Sequence, residues 1–428
     1  MLKKKPVTGM RDILPDEMAL RVHCMQVIRD TYRRYGFTEM ETPVVESLEN
    51  LQSRQGGDNE KLIFRILKRG EKLRIDTAQS ADDLSDGGLR YDLTVPLVRY
   101  YANHMNELPS PFKSLQMGNV FRADRPQKGR FRQFMQCDID ILGEPSSIAE
   151  TELILATTEV LGKLGFRGFQ VRISDRRLLH AMASFCGFGE ARHGEVFITL
   201  DKLDKIGEDG VREELLSQGF SSGSVDTCLA LFVSEEGTDA VSLLKRFCDA
   251  IGADKDPEIA KIRDNLHSIL TGVDASKEAD FMLVFDPTLV RGMGYYTGTI
   301  FEIMMPQFGA SCGGGGRYDR MIGMFTGQDV PACGFSIGFE RIILLLEEAG
   351  FRIPSPCAKK AFLIEKGIDR DAFTAILREA AALRAQGEQI LIVRMHKNKK
   401  FQKEQLAAQG YNDFREFFKE SDRSDRSF

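Results

Sequence analysis

From Gln133 to Leu142 the chain alternates polar and apolar side chains, the two-residue period of a strand. Gln136, Asp138 and Asp140 fall on one face; Cys137, Ile139 and Ile141 fall on the other. A strand of this kind seals a core with its apolar face and turns its polar face to water. Just before it, Arg122, Arg125, Lys128, Arg130 and Arg132 cluster around Pro126 and Gly129, so this segment is expected to be a cationic loop. A loop of cations feeding a row of acceptors suits a ligand that carries both phosphates and an ammonium group. A solvated hairpin with a charged tip would use the same letters, so other stretches have to separate the two readings.

At 428 residues the chain has room for two or three domains. With 42% hydrophobic and 28% charged residues it can bury a sizeable core, which argues against wholesale disorder. No apolar run approaches the roughly 20 residues that span a bilayer, and no apolar stretch follows the basic N-terminus as a signal peptide requires. Eight cysteines are scattered without Cys-x-x-Cys spacing, and the six histidines are dispersed. That pattern predicts reduced thiols in a cytoplasmic protein and speaks against structural zinc. The net charge of −5 looks wrong for a nucleic-acid binder. From Lys359 onward, however, 15 basic residues face 11 acidic ones, so the tail carries +4 and the remainder −9. A local basic footprint is therefore compatible with the acidic whole.

In chain order, Pro6 to Pro15 reads as an ordered loop. Asp16 is expected to cap a helix with an apolar stripe of Met18, Val22, Met25, Ile28 and Tyr32, ended by Gly36. Phe37 to Thr42 reads as a strand stopped by Pro43, and Lys61 to Leu67 as another. Residues 70–88 read as an extended hairpin or surface insertion. Asp92 and Thr94 share a face if that segment is extended, although an N-cap for a helix opened by Pro96 is the plainer use of such residues. A helix over 147–164 begins at Ser147 with Glu150 three residues on, the spacing of a capping box. Phe169 to Ser174 is a strand, and 175–270 is largely helical.

Two glycine-rich segments follow, Leu289 to Glu302 and Ser311 to Asp319. The first reads as a turn entering a strand and the second as a tight backbone that lets a ligand approach. Neither is a P-loop, because no Gly-Lys-Ser/Thr follows. Pro331 to Gly338 is strand-like, and Arg341 sits in the first turn of the next helix, where a cation opposes the helix dipole and so suggests an anionic partner. Beyond Pro354 and Pro356 the pattern becomes strand 361–365, helix 369–386, strand 389–393 and helix 400–409, a small α/β unit with a basic cluster from Arg394 to Lys403.

These stretches resemble class II aminoacyl-tRNA synthetases, and within them the histidyl-tRNA synthetase family. The helix and strand ending at Pro43 resemble motif 1, Phe121-Arg122 with the loop to Phe134 resembles motif 2, and Gly338 to Arg341 resembles motif 3. Arg291 to Gly298 and Ser311 to Asp319 are similar to the two histidine signatures, and Gly9 to Pro15 also matches. The resemblance implies an α+β fold: a six- or seven-stranded antiparallel sheet flanked by helices, with a helical insertion and a small C-terminal α/β domain. The implied division is a catalytic domain in two parts, 1–174 and 276–353, an insertion over 175–275, and a shortened anticodon-binding-like domain over 359–428.

The implied reaction joins histidine to ATP as histidyl-adenylate and then moves the histidyl group to the 3′ end of tRNA(His). Arg122 would bind the α-phosphate and the substrate carboxylate, Arg341 the γ-phosphate, and Arg291 would supply a catalytic cation. Phe134 would stack on adenine and Asp124 would read its amino group. Asp92, Thr94 and Gln136 would take the α-ammonium; Asp140, Tyr295 and Tyr296 would line the imidazole pocket. ATP is expected as substrate with magnesium, and a homodimer is expected from the family alone. Three features depart from the pattern. Gly294 stands where many members have Asp, Asp124 replaces the usual Glu, and the tail after Gly410 is too short for the family's last strands. The shortened tail leaves a second reading, a catalytically silent paralogue that regulates histidine biosynthesis by binding ATP phosphoribosyltransferase.

Overall fold

The computed structural model describes residues 3–52, 58–232, 237–290, 295–354 and 359–419. The chain divides into two compact units, Met1–Phe351 and Arg352–Phe428.

The strands of the first unit are β1 (Thr38–Glu39), β2 (Val45–Ser47), β3 (Arg65–Leu67), β4 (Ser85–Leu89), β5 (Phe112–Phe121), β6 (Gln133–Leu142), β7 (Phe169–Asp175), β8 (Phe281–Phe285), β9 (Thr299–Met305), β10 (Ala310–Arg317) and β11 (Ala332–Ile337). Its longer helices are α1 (Pro15–Arg34), α2 (Thr94–His104), α3 (Ile148–Lys163), α4 (Arg176–Phe185), α5 (His193–Leu200), α6 (Leu203–Ser217), α7 (Ser222–Ala230), α8 (Ala240–Ala250), α9 (Pro257–Ser276) and α10 (Phe339–Glu348). Eight strands form one sheet in the order β1-β5-β6-β11-β10-β9-β7-β8. The middle six strands are antiparallel, as expected, but the sheet is larger than expected and its two outer pairs, β1 with β5 and β7 with β8, are parallel. Parallel neighbours need long crossovers, and helices α4 to α9 supply the one between β7 and β8.

The apolar side of β6 behaves as its alternation predicts: Cys137, Ile139 and Ile141 are buried. Leu153, Ile154, Val160 and Leu161 of α3 and Ile28 and Tyr32 of α1 are buried in the layer beside the sheet. The polar side does not meet water as expected. Asp138 and Asp140 are 4% and 3% exposed, because the loops and helix starts described below roof that face.

Several local expectations change. Helix α1 starts at Pro15, with Leu14 in the flanking position and Asp16 in the first turn, so Asp16 is not the cap. A proline at the helix start needs no capping partner for its missing N–H. Of the expected apolar stripe, Ile28 and Tyr32 are buried, but Met18 and Val22 are exposed and Leu20, Arg21 and Cys24 are buried instead. The Ser147 side chain makes no capping bond, and Glu150 is spent on Arg317, with contacts of 2.8 and 2.7 Å. The strands read at 37–42 and 61–67 shrink to Thr38–Glu39 and Arg65–Leu67. Residues 70–88 contain a short helix and β4, the central strand of a small sheet, β2-β4-β3, rather than a simple hairpin.

The second glycine-rich segment turns out to be a strand: Gly313 to Gly316 form the interior of β10. A Cβ on Gly315 would lie 1.9 Å from the Gly334 carbonyl oxygen, and one on Gly316 would lie 2.6 Å from that of Thr299. Glycine is needed there because the neighbouring strands come too close for any side chain.

In the second unit, β12 (Lys359–Ile364), β13 (Gln389–Arg394) and β14 (Asp413–Phe417) make a parallel sheet in the order β13-β12-β14, with α11 (Arg370–Ala385) and α12 (Lys399–Ala408). Ile376 and Ala380 of α11 pack with Phe362, Ile364 and Ile390; Leu406 of α12 packs with Ala361 and Leu363. Strand β14 lies in the segment judged too short from the sequence. Five residues suffice to pair with β12, which satisfies the backbone groups on that side of the strand. Among the described residues, no helix is long and apolar enough to cross a membrane.

Candidate active site

The roofed face of the main sheet forms the floor of a cleft of about 810 Å³. Ten residues singled out from the sequence line it: Asp92, Thr94, Arg122, Asp124, Phe134, Gln136, Asp140, Tyr295, Tyr296 and Arg341. Arg291, with Gly294, lies outside the described residues.

Arg122 follows β5 and opens the cationic loop. Its Nε donates to the Tyr91 carbonyl at 3.0 Å, and its guanidinium lies 4.2 Å from the Tyr91 ring centre and 5.2 Å from that of Phe134. A planar cation held by its faces and one N–H is fixed in orientation before any anion arrives. Arg341, in the first turn of α10, donates to the Ser311 carbonyl and has its guanidinium 5.6 Å from the Phe308 ring centre.

The loop between these arginines is held by the N-terminal segment. The Gly9 carbonyl accepts from the Arg132 backbone N–H at 2.8 Å, and the Thr8 carbonyl from the Arg132 side chain at 3.4 Å. Arg11 lies 4.6 Å over the Phe131 ring and donates to Glu17 and, at 3.3 Å, to Glu340. Glu340 is the junction of this network. It accepts from Arg21 at 2.7 and 2.8 Å and from the Met135 backbone N–H at 3.1 Å, so α1, β6 and α10 share one buried carboxylate beside Arg341. Sequence reasoning missed Glu340, because nothing local in Phe339-Glu340-Arg341 announces a partner at position 21.

The cleft also has a buried acidic part. Asp92 is 2% exposed and its Oδ1 accepts from the Val95 backbone N–H at 3.0 Å. It therefore caps α2 and lines the cleft, uniting the two readings left open from the sequence. Burial raises its pKa, and the Val95 bond and Arg122 oppose that rise. Burial pushes Asp140 up to about 7, against the Tyr318 hydroxyl that donates to it at 2.6 Å. Asp138, not singled out from the sequence as a site residue, also lines the cleft. Burial, with neighbouring Asp140 next in importance, holds its carboxyl well above the usual range. Tyr295, hydrogen-bonded to Thr94, is raised well above a free tyrosine, chiefly by burial. Gln136 donates from Nε2 to Asp138 at 3.3 Å and to Ser336 at 3.2 Å. Gln136 Oε1 and Asp138 Oδ1 have no partner among the described residues.

The cleft thus combines cationic and aromatic groups suited to a phosphorylated ring compound with buried acids suited to a small cation with ring donors. Among the described residues no three His, Cys, Asp or Glu side chains gather to hold a metal.

The family model described as histidyl-tRNA synthetase matches residues 9–342. The histidine–tRNA ligase of Leifsonia xyli subsp. xyli is 44% identical over 427 residues, covering 96% of this chain and 94% of that protein. That of Cytophaga hutchinsonii is 36% identical, covering 89% and 84%. Among solved structures, histidyl-tRNA synthetase from Nostoc sp. PCC 7120 superposes with a TM-score of 0.78 at 27% identity, over 96% of this chain and 90% of that one. A Bacillus halodurans C protein described as an ATP phosphoribosyltransferase regulatory subunit/histidyl-tRNA synthetase reaches 0.77 at 19% identity, over 98% and 100%, a likeness of fold. The extent and identity of these matches establish that the chain belongs to the histidyl-tRNA synthetase family.

Proposed function

We propose that this protein activates histidine with ATP, forming histidyl-adenylate and pyrophosphate, and then transfers the histidyl group to the 3′ end of tRNA(His). The observation that carries the reading is one cleft lined both by the cations Arg122 and Arg341 and by the buried carboxyls of Asp92 and Asp140. The histidine carboxylate attacks the α-phosphorus in line and pyrophosphate leaves. Negative charge builds on the phosphoryl oxygens, so fixed cations do most of the catalysis. Arg122 stabilises the α-phosphate and orients the attacking carboxylate; Arg341 holds the γ-phosphate. Phe134 stacks on the adenine and Asp124 accepts from its amino group. Asp92, Thr94 and Gln136 bind the ammonium, while Asp140, Tyr295 and Tyr296 enclose the imidazole. A buried acceptor for a ring N–H rejects analogues lacking it by roughly 10⁴. Arg291 is assigned a catalytic cation's role from its place in the signature motif alone.

Magnesium would enter with the nucleotide. Among the described residues no three metal-ligating side chains gather; the ion's ligands would be phosphate oxygens and water, and it would neutralise charge on the triphosphate. The second unit, with Lys397, Lys400 and Arg394 around α12, is proposed to meet the anticodon arm. Leu14, just before α1, and Met18 and Val22 on it are exposed at four-residue steps, an apolar stripe that supports a homodimer.

The regulatory reading has less behind it. A histidine sensor has no use for a γ-phosphate cation, and the relatives that share most identity are named as ligases. Histidine-dependent exchange of pyrophosphate into ATP tests the proposal. Exchange is expected, whereas histidine binding without exchange would favour the regulator.

A further inference from the structure

Asp138 stands in the middle of the cleft floor and has no part in the roles above. It is 4% exposed and shares its face of β6 with Gln136 and Asp140. Its Oδ2 accepts from Gln136 Nε2 at 3.3 Å, but its Oδ1 is buried without a partner among the described residues. The two residues beside it in the sheet are Gln116 on β5 and Ser336 on β11. Gln116 is already engaged, its Nε2 donating to the Leu93 carbonyl and its Oε1 accepting from Thr42, each at 3.2 Å. The Ser336 hydroxyl bonds to the Asp138 carboxyl and partly opposes the rise that burial imposes, yet Oδ1 stays unpaired among the described residues. A buried acceptor left unpaired costs as much as a lost hydrogen bond, so its survival in a ligand cleft calls for a ligand.

The charge around it says which part of the ligand. Asp92, Asp138 and Asp140 are all buried in this one cleft, and none of them is in an ion pair among the described residues. Arg122 is near enough to act on Asp138, but weakly compared with burial and Asp140. A water molecule would satisfy the open oxygen without offsetting the crowding of acids, and a neutral ring N–H would do no better. A cation with several N–H donors does both.

We propose that Asp138 reads the α-ammonium of the bound amino acid, its Oδ1 accepting an N–H between Gln136 and Asp140. This rests on the histidine-activation reading and adds to it a substrate-contacting residue. It makes the ammonium site depend on two carboxylates from different elements, Asp92 at the start of α2 and Asp138 at the centre of β6.

The test is Asp138→Asn, which keeps the shape and turns one acceptor into a donor. Pyrophosphate exchange would give KM for histidine and for ATP. Inhibition by imidazolepropionate, which has the ring and carboxylate but no ammonium, would report on the rest of the pocket. The histidine KM is expected to rise roughly 10- to 100-fold, the range for a hydrogen bond to a charged group. The ATP KM and the imidazolepropionate inhibition constant are expected to stay within about twofold. An unchanged histidine KM overturns the proposal. Equal weakening of histidine and imidazolepropionate also overturns it, by moving the contact to the ring.

A purely positioning role, acting through Gln136, is separated by repeating the substitution in a Gln136→Ala background. Direct contact predicts the same loss there, and disappearance of the loss refutes it. Asp138→Ser gives the same comparison should the amide not be accommodated. Failure of the underlying reading would look different: the unsubstituted protein would show no histidine-dependent exchange at all.

Discussion

Asp140 illustrates how much one side chain's surroundings decide. Burial moves its pKa from an ordinary 3.8 to about 7, although the Tyr318 hydroxyl pulls the other way. Between those values the folded chain holds a proton that the unfolded chain has lost. Its contribution to stability therefore falls as pH rises from about 4 to about 7. Asp140→Asn removes the titration, so in ligand-free thermal unfolding the native protein should lose stability relative to the variant across that window; parallel profiles would contradict the assignment. Glu340 is the second case. Arg21 is 7% exposed by its side chain and bonds Glu340 through both terminal nitrogens. Glu340→Ala should cost about 3 kcal/mol in denaturant unfolding, because it leaves the buried Arg21 guanidinium with only Glu17, 3.6 Å away, as an ionic partner. The sequence disclosed Asp140, because alternation along β6 puts it on the polar face. It could not disclose that this face is buried, since the roof comes from residues far away in the chain. Asp138 had the same signal and was passed over. Glu340 had none, because its value lies in partners more than 200 residues away.

At the scale of elements, the cationic loop owes its position to the N-terminal segment. Gly9 has φ of 83°, and a Cβ there would lie 2.7 Å from the Arg132 side chain and 2.9 Å from Pro126. Gly9→Ala should therefore shift the loop, raising KM for ATP about tenfold while leaving histidine binding unchanged. Equal effects on both ligands in exchange kinetics would show that the segment does not act through the nucleotide end. Long periodic elements such as α3 and β6 were legible because side-chain period is a local property. Strand β10 was not, because four glycines carry no period. The reason for them is the nearness of β9 and β11, which no window of sequence contains. The shortening of the strands near positions 38 and 65 has the same origin: pairing length is set by the partner.

At the scale of the whole molecule, each of the two compact units has its own core, and the proposed division of labour follows that boundary. Removal of everything after Pro354 should leave pyrophosphate exchange within about twofold and reduce tRNA charging at least tenfold. Equal charging by the shortened protein would contradict an anticodon role for the second unit. Charging by the full chain should also weaken with salt, as phosphate contacts do. The account stands on one cleft that holds a triphosphate at its arginines and an amino acid at its acids. Exchange of labelled pyrophosphate into ATP, with each of the common amino acids offered in turn, tests that claim most directly. Exchange with histidine alone, lost in Arg122→Ala, is the predicted result. Histidine binding without exchange, or exchange driven equally by another amino acid, would contradict it.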